Sequence, residues 1–221
     1  SIRSYLNRWG VIVGKKIAIF TNNDDAYSTA KNLISLGIKV VGIIDTRENP
    51  NIDDLDIKVF KSAQVTNSRG SSALQGVNVT LKDGKSFYLE CDTLGVSGGW
   101  NPNIHLSCHT GVKPEWQNNI SAFVPGKKNI STHLKAVGAA NGCFDLNQCF
   151  LSAENTVVQI LSELNISIKK YDMPKTEEKS INIEPFWYVK NGNQRKWVDL
   201  QNDVTVKDIE LAYRENFRSV E

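Results

Sequence analysis

The stretch that most restricts this chain is residues 16–45. Lys16-Ile-Ala-Ile-Phe20 reads as a short strand, Thr21-Asn-Asn-Asp-Asp25 is polar turn chemistry, and Ala26, Ala30, Leu33 and Ile34 recur at helical spacing. Gly37 suits a helix stop, and Val40 to Ile44 is a second apolar strand that ends on Asp45. Strand, turn, helix and strand in this order make the βαβ unit of dinucleotide folds. The fingerprint inside the unit is degenerate. A dinucleotide loop reads G-x-G-x-x-G or A, because glycine makes the tight turn and lets the backbone approach a pyrophosphate. Here the three positions are Thr21, Asn23 and Ala26, and only the last keeps a small residue. Asp24 and Asp25 also place carboxylates where a phosphate would meet the helix N-terminus. Asp45, about 20 residues on, offers a carboxylate to a ribose hydroxyl. The residues predict the fold of a nucleotide-binding unit with a weakened or lost nucleotide site.

The 221 residues, 40% hydrophobic and 23% charged, suit one α/β domain with an appendage or two small domains. A net charge of +2, with both signs interspersed, gives no basic stripe for nucleic acid. No apolar run reaches the roughly 18 residues of a membrane span. Cys91, Cys108, Cys143 and Cys149 share no C-x-x-C, which points to a reduced, cytoplasmic protein. The N-x-S/T triplets at Asn78, Asn119, Asn129 and Asn165 are then chance matches. Ile2, Tyr5, Leu6 and Trp9 share one helix face beginning at the first residue, and the last residue falls inside another helical pattern, so an internal piece of a longer protein is expected.

Along the chain, Val59-Phe60 suits a short parallel strand and residues 62–72 a polar loop. Val77 to Leu81 and Ser86 to Leu89 flank Asp83-Gly84, a hairpin signal. Thr93 to Val96 leads into Ser97-Gly-Gly-Trp-Asn-Pro102. Residues 103–134 have little periodicity and hold His105, His109 and His133, whose spacing with Cys108 fits no compact zinc pattern. Phe123-Val-Pro-Gly126 reads as a turn and Leu134 to Val137 as a short buried strand. Residues 138–142 form a small-residue turn into the clearest helix, Leu146 to Leu164, with Asp145 as its N-cap. Such a turn favours anions, although small residues also serve close packing of helix on sheet. Residues 167–180 read as a linker, and Asn191-Gly192 as the turn of a second hairpin between 186–189 and 196–198. Thr205 with Asp208 makes a capping-box start, with Val206, Ile209, Tyr213 and Phe217 on one helix face. No catalytic acid, base or nucleophile with supporting neighbours stands out.

Two of these patterns resemble the two-dinucleotide flavoproteins of the pyridine nucleotide–disulfide oxidoreductase type: the hairpin followed by Asp92-Thr-Leu-Gly-Val-Ser-Gly-Gly-Trp-Asn-Pro102, and Lys135-Ala-Val-Gly-Ala139 running into a helix. A closer resemblance, to the α subunits of heterotetrameric sarcosine oxidases, rests on Tyr5-Leu-Asn-Arg8, Gly10-Val11, Thr21-Asn-Asn-Asp24, Ala26-Tyr27, Gly98-Gly-Trp-Asn-Pro102, Phe123-Val-Pro-Gly126, Gln201-Asn-Asp-Val-Thr205 and Phe217-Arg-Ser-Val-Glu221.

The resemblance implies an α/β, Rossmann-like FAD/NAD(P)-binding fold with an inserted βαβ domain and a small α-helical C-terminal tail. It divides the chain into a connecting helix (1–15), a pyridine-nucleotide-type βαβ/hairpin domain (16–96), the closing part of the first dinucleotide-binding domain (97–170), a linker with a β-hairpin (171–198) and the start of a small helical domain (199–221). It implies part of a non-redox NAD site, carried by Gly138, Ala139, Phe144 and Leu146, with Asp45 as a further contact. The family's carboxylate at the closing turn falls on Ala139 here. FAD and FMN would lie mainly with other subunits. The first cysteine pair of an iron–sulfur domain would fall near Asp199 and Gln201, so no iron–sulfur cluster is expected.

The implied activity is that of the whole complex: sarcosine demethylated oxidatively to glycine, its one-carbon unit passed to tetrahydrofolate, and O2 reduced to H2O2. The implied partners are β, γ and δ subunits, with tetrahydrofolate bound by a domain beyond residue 221; this segment alone is expected to be inactive. Two other readings compete. A free-standing NAD(P)H-dependent flavoprotein reductase would need an intact glycine fingerprint and redox cysteines. A non-enzymatic subunit-docking scaffold would expose an apolar face around Trp100, Trp116 and Phe186 to Tyr188.

Overall fold

The computed structural model describes all residues except 53, 54, 127–133, 168–171, 175, 177–180, 191, 193, 220 and 221. His133 and Asn129, part of the 167–180 linker, Asn191 of the second hairpin turn and the last two residues of the C-terminal motif therefore lie outside the described residues.

The βαβ unit forms as its pattern dictates: β1 (Lys16–Thr21), α2 (Asp25–Ser35) and β2 (Lys39–Asp45), preceded by α1 (Ile2–Trp9). Gly37 takes a left-handed φ of 74° and ends α2 through its N–H to the Ile34 carbonyl. β1 pairs in parallel with β2 on one side and with β7 (Thr93–Ser97) on the other, and β3 (Val59–Phe60) extends the sheet beyond β2, giving the order β3-β2-β1-β7. Between β3 and β7 the chain builds a second, antiparallel sheet, β4-β5-β6 (Ala63–Arg69, Gly76–Leu81, Ser86–Glu90).

β1 shows why the middle strand is apolar on both faces. Successive side chains point to opposite sides of a strand. Ile17 and Ile19 join Ala26, Tyr27, Ala30, Leu33 and Ile43 in a core under α2, where Ile2 and Leu6 of α1 also pack. Ala18 faces the other way, into a second core with Ile44, Val77, Val79 and Cys91, and Phe20 packs at its margin. The unit is thus three layers: helix, parallel sheet, antiparallel sheet.

The hairpin around Asp83-Gly84 forms with Val77 opposite Leu89 and Val79 opposite Phe87. Four local expectations are corrected. Residues 63–69, read as polar loop, are β4: only Ala63 and Val65 are apolar, and the strand exists because its ladder with β5 is supplied from elsewhere in the chain. Phe123 to Pro125, read as a turn, belongs to β9 (Ala122–Pro125), which pairs with β8 (Pro114–Gln117). Residues 134–137 form no strand: Val137 is extended, at φ −135° and ψ 163°, but among the described residues no strand pairs with them. In the second hairpin, Trp197–Asp199 (β10) pairs with Val204–Thr205 (β11) rather than with 186–189. The Asp199 carboxylate, accepting from the Gln201 and Asn202 N–H groups, makes that turn.

A short α3 (His105–His109) precedes β8. A 3₁₀ turn (Gly138–Asn141) precedes α4 (Leu146–Glu163), where the Asp145 side chain accepts from the Gln148 N–H. α5 (Val206–Arg214) starts on the full Thr205/Asp208 capping box.

Candidate functional site

In an open α/β sheet the ligand crevice lies at the carboxyl ends of the strands, where the strand order reverses. Here β2 lies on one side of β1 and β7 on the other, so the crevice is framed by Thr21, Asp45 and Ser97, which sit in register. The loop from β1 to α2 fills it with polar side chains. Thr21 Oγ1 donates to the Asn23 and Ser97 carbonyls at 3.0 and 3.2 Å. Asn23 Nδ2 donates to the Ser97 carbonyl at 2.9 Å, and its Oδ1 accepts from the Asp25 N–H at the start of α2.

The reading from sequence offers Asp45 to a ribose hydroxyl, but its carboxylate is fully buried and committed elsewhere. Oδ1 accepts from Arg47 Nε at 3.0 Å and from the Arg47 N–H, while Oδ2 accepts from Arg47 Nη2 and from the Tyr27 hydroxyl, each at 2.8 Å. Arg47 Nη1 reaches Asp24 Oδ1 at 2.6 Å. Burial alone would favour a neutral guanidine, but hydrogen bonds and charge from Asp45 and Asp24 outweigh it and hold the Arg47 pKa above its ordinary value. Burial, then the adjacent Asp45 charge, pushes the Tyr27 phenol up as well. The second acid of the loop, Asp25, pairs with Arg3 of α1 at 3.0 Å. The carboxylates that looked opposed to a phosphate are thus each matched to an arginine. Arg47 has no role in the reading from sequence; its signal is its position two residues after the strand-end acid.

The remaining predicted residues lie in the 138–146 turn. Gly138 is buried at φ 59°, its N–H donating to Ser152 Oγ and its carbonyl accepting from the Cys143 N–H. Ala139 and Leu146 are exposed and Phe144 is half-buried. Burial raises the Cys149 thiol, with neighbouring Cys143 next in effect, and Cys149 Sγ donates to the Cys143 carbonyl. The turn is exposed at Ala139 and Leu146. Asp45 stands apart from it, in the crevice of the parallel sheet.

Among the described residues no group of three or more His, Cys, Asp or Glu side chains could hold a metal, and no helix is long and apolar enough to cross a membrane. A cleft of about 810 Å³ runs between α1, the start of α2 and the edge of β7 down to Trp100. Trp116 stacks edge-on with Phe123 at 5.1 Å and lies 5.9 Å from Trp187. Trp100, Trp116, Trp187 and Tyr188 are exposed, whereas Phe186 is half-buried against Phe20.

A family model described as the sarcosine oxidase A3 domain matches residues 193–221. Over its whole length the chain is 34% identical to the sarcosine oxidase subunit alpha of Rhizobium meliloti (strain 1021), covering 22% of that protein. It is 32% identical to the subunit of the same name from Corynebacterium sp. (strain U-96), covering 25% of it. The chain therefore spans about a quarter of the length of these curated relatives. Among solved structures, the L-proline dehydrogenase of P. horikoshii superposes over 98% of this chain and 40% of its own, with a TM-score of 0.65 at 16% identity, a likeness of fold.

Proposed function

We infer that this chain, a homologue along its whole length of a segment of sarcosine oxidase α subunits, works as an internal part of such a subunit in an oxidoreductase complex. The full-length similarity is the observation that carries this reading. The reaction proposed for the complete complex is oxidative demethylation of sarcosine to glycine, with the one-carbon unit passed to tetrahydrofolate and O2 reduced to H2O2. The β, γ and δ subunits would complete the assembly, and FAD and FMN would lie mainly with them. The chain itself supplies scaffold and, through Gly138, Ala139, Phe144 and Leu146, part of a site for a non-redox NAD. The exposure of that turn at Ala139 and Leu146 supports this assignment, and Ala139 leaves no carboxylate to repel a pyrophosphate. Asp45, buried beneath Arg47, is proposed to act in folding rather than in binding.

Calorimetric titration of NAD, NADH and NADP into this chain and into the full-length α subunit tests the reading. NAD binding by the full subunit, weakened about tenfold or more by Ala139→Glu, is expected, since like charges brought together at a site oppose binding. Binding that ignores Ala139→Glu would remove the turn from the site. No binding by either protein would favour a docking scaffold, the reading that the exposed Trp100, Trp116, Trp187 and Tyr188 support.

A further inference from the structure

The crevice of the parallel sheet already holds something. Residues 181–186 run through it, and Ile183 bridges Asn23 in antiparallel fashion. We infer that this segment is the resident ligand of the crevice: extended chain bound where the phosphates of a dinucleotide would lie, closing the βαβ unit to nucleotides and fastening the C-terminal part of the chain to the sheet.

The contacts are those of strand addition, in which main-chain bonds hold a peptide and pockets receive alternate side chains. The Asn182 carbonyl accepts from the Asp24 N–H at the mouth of α2, at 3.2 Å, and from Arg47 Nη1 at 2.9 Å. A neutral oxygen thus takes the place that an anion takes in a nucleotide-binding βαβ unit. The Asn182 N–H donates to Asp24 Oδ2 at 2.9 Å. The Glu184 N–H donates to the Asn22 carbonyl at 3.0 Å, and the Glu184 carbonyl accepts from Asn22 Nδ2 at 2.8 Å. Ile183 presses on Gly99, where an added Cβ would lie 2.5 Å from Ile183 Cδ1, and Phe186 meets Phe20 edge-on at 5.9 Å.

The two residues that stand where the fingerprint has glycine, Thr21 and Asn23, both bind the Ser97 carbonyl, and Asn23 also bridges Ile183. Their neighbours Asn22 and Asp24 grip the segment. Charge points the same way: one guanidinium faces two carboxylates, leaving no net positive charge for a pyrophosphate.

Amide hydrogen exchange on the chain, with and without millimolar NAD, tests this. The Asp24 and Glu184 amides are expected to exchange about tenfold or more slowly than in a free peptide, and NAD is expected to leave them unchanged. Ile183→Ser is expected to speed both about tenfold while Ile19 and Ile43 in the sheet keep their rates. Free-peptide exchange at Glu184 in the unaltered chain would overturn the inference. So would acceleration of both amides by NAD, or Ile183→Ser speeding sheet and segment alike. NAD effects confined to Ala139 and its neighbours would leave it standing, so its failure is distinct from failure of the proposed NAD site.

Discussion

Replacing Arg47 by methionine tests the triad at the crevice most directly. The Arg47 and Asp45 side chains are both 0% exposed, and Asp24 is 18% exposed. Methionine keeps much of the aliphatic stem but removes four bonds: two to Asp45, one to Asp24 and one to the Asn182 carbonyl. Asp45 would keep only the Tyr27 hydroxyl and one backbone N–H, and Asp24 the Asn182 N–H. Leaving one charge of a buried pair uncompensated costs about 3–5 kcal/mol. The exposed Lys82–Glu48 pair, at 3.0 Å, provides the contrast, because such pairs contribute about 0–1 kcal/mol. Urea unfolding should show Arg47→Met lowering the midpoint by the larger amount with an unchanged slope, and Lys82→Ala barely moving it. Adding Asp45→Asn to Arg47→Met should recover part of the loss, since an amide in place of the carboxylate removes the stranded charge. A loss under about 1 kcal/mol for Arg47→Met, or no recovery in the double variant, would refute the argument that the buried charges are mutually required.

Tyr27→Phe removes a donor from a buried carboxylate and should cost about 1–3 kcal/mol at neutral pH, read by thermal unfolding. Because folding raises the Tyr27 pKa, its contribution is complete below the unfolded value of about 10 and is lost as pH rises from there towards the folded value, so the phenylalanine variant should show less alkaline destabilisation between pH 10 and 12, about 2 units above that onset. Gly142→Ala sets a Cβ 2.8 Å from Ile120 Cδ1 and 2.9 Å from Val124 Cγ1 at a φ of 83°, and should destabilise the 138–149 turn by about 2–4 kcal/mol, seen as faster proteolysis there.

What was legible in the sequence is what local chemistry decides. The βαβ unit, the Asp83-Gly84 hairpin, the Asp145 cap and the Thr205/Asp208 capping box each rest on neighbours within a few residues, and each formed. β4 was hidden because its polar run, Gln64 to Arg69, becomes a strand only against β5. β9 was hidden because Pro125, a turn former, stands at the end of a two-stranded ladder whose edges leave its missing N–H harmless. The stripe of α4 was read correctly as a helix, yet no residue of α4 is buried among the described residues. At the crevice, the surplus of Asn and Asp announced the loss of glycine but not its replacement. The alternation of Ile181 and Ile183 ahead of Phe186 was the one signal, and a period of two over so few residues does not name its partner.

The segment in the crevice also links the two candidate sites. Its backbone faces the β1–α2 loop, while Ile181 and Ile183 line a cavity of about 20 Å³ with Asn23, Gly99, Trp100, Ile120 and Phe144. That volume admits about one water, so the walls are effectively in contact. Phe144 belongs to the turn proposed to meet NAD, and Ile120 lies in the β8–β9 hairpin loop that also backs Gly142. The same residues that close the crevice therefore set the turn against the sheet. A dinucleotide bound in the crevice would have to expel the segment, and with it the apolar support of Phe144. On this geometry the segment that fills the crevice is also the one packed against Phe144 of the turn proposed to meet NAD.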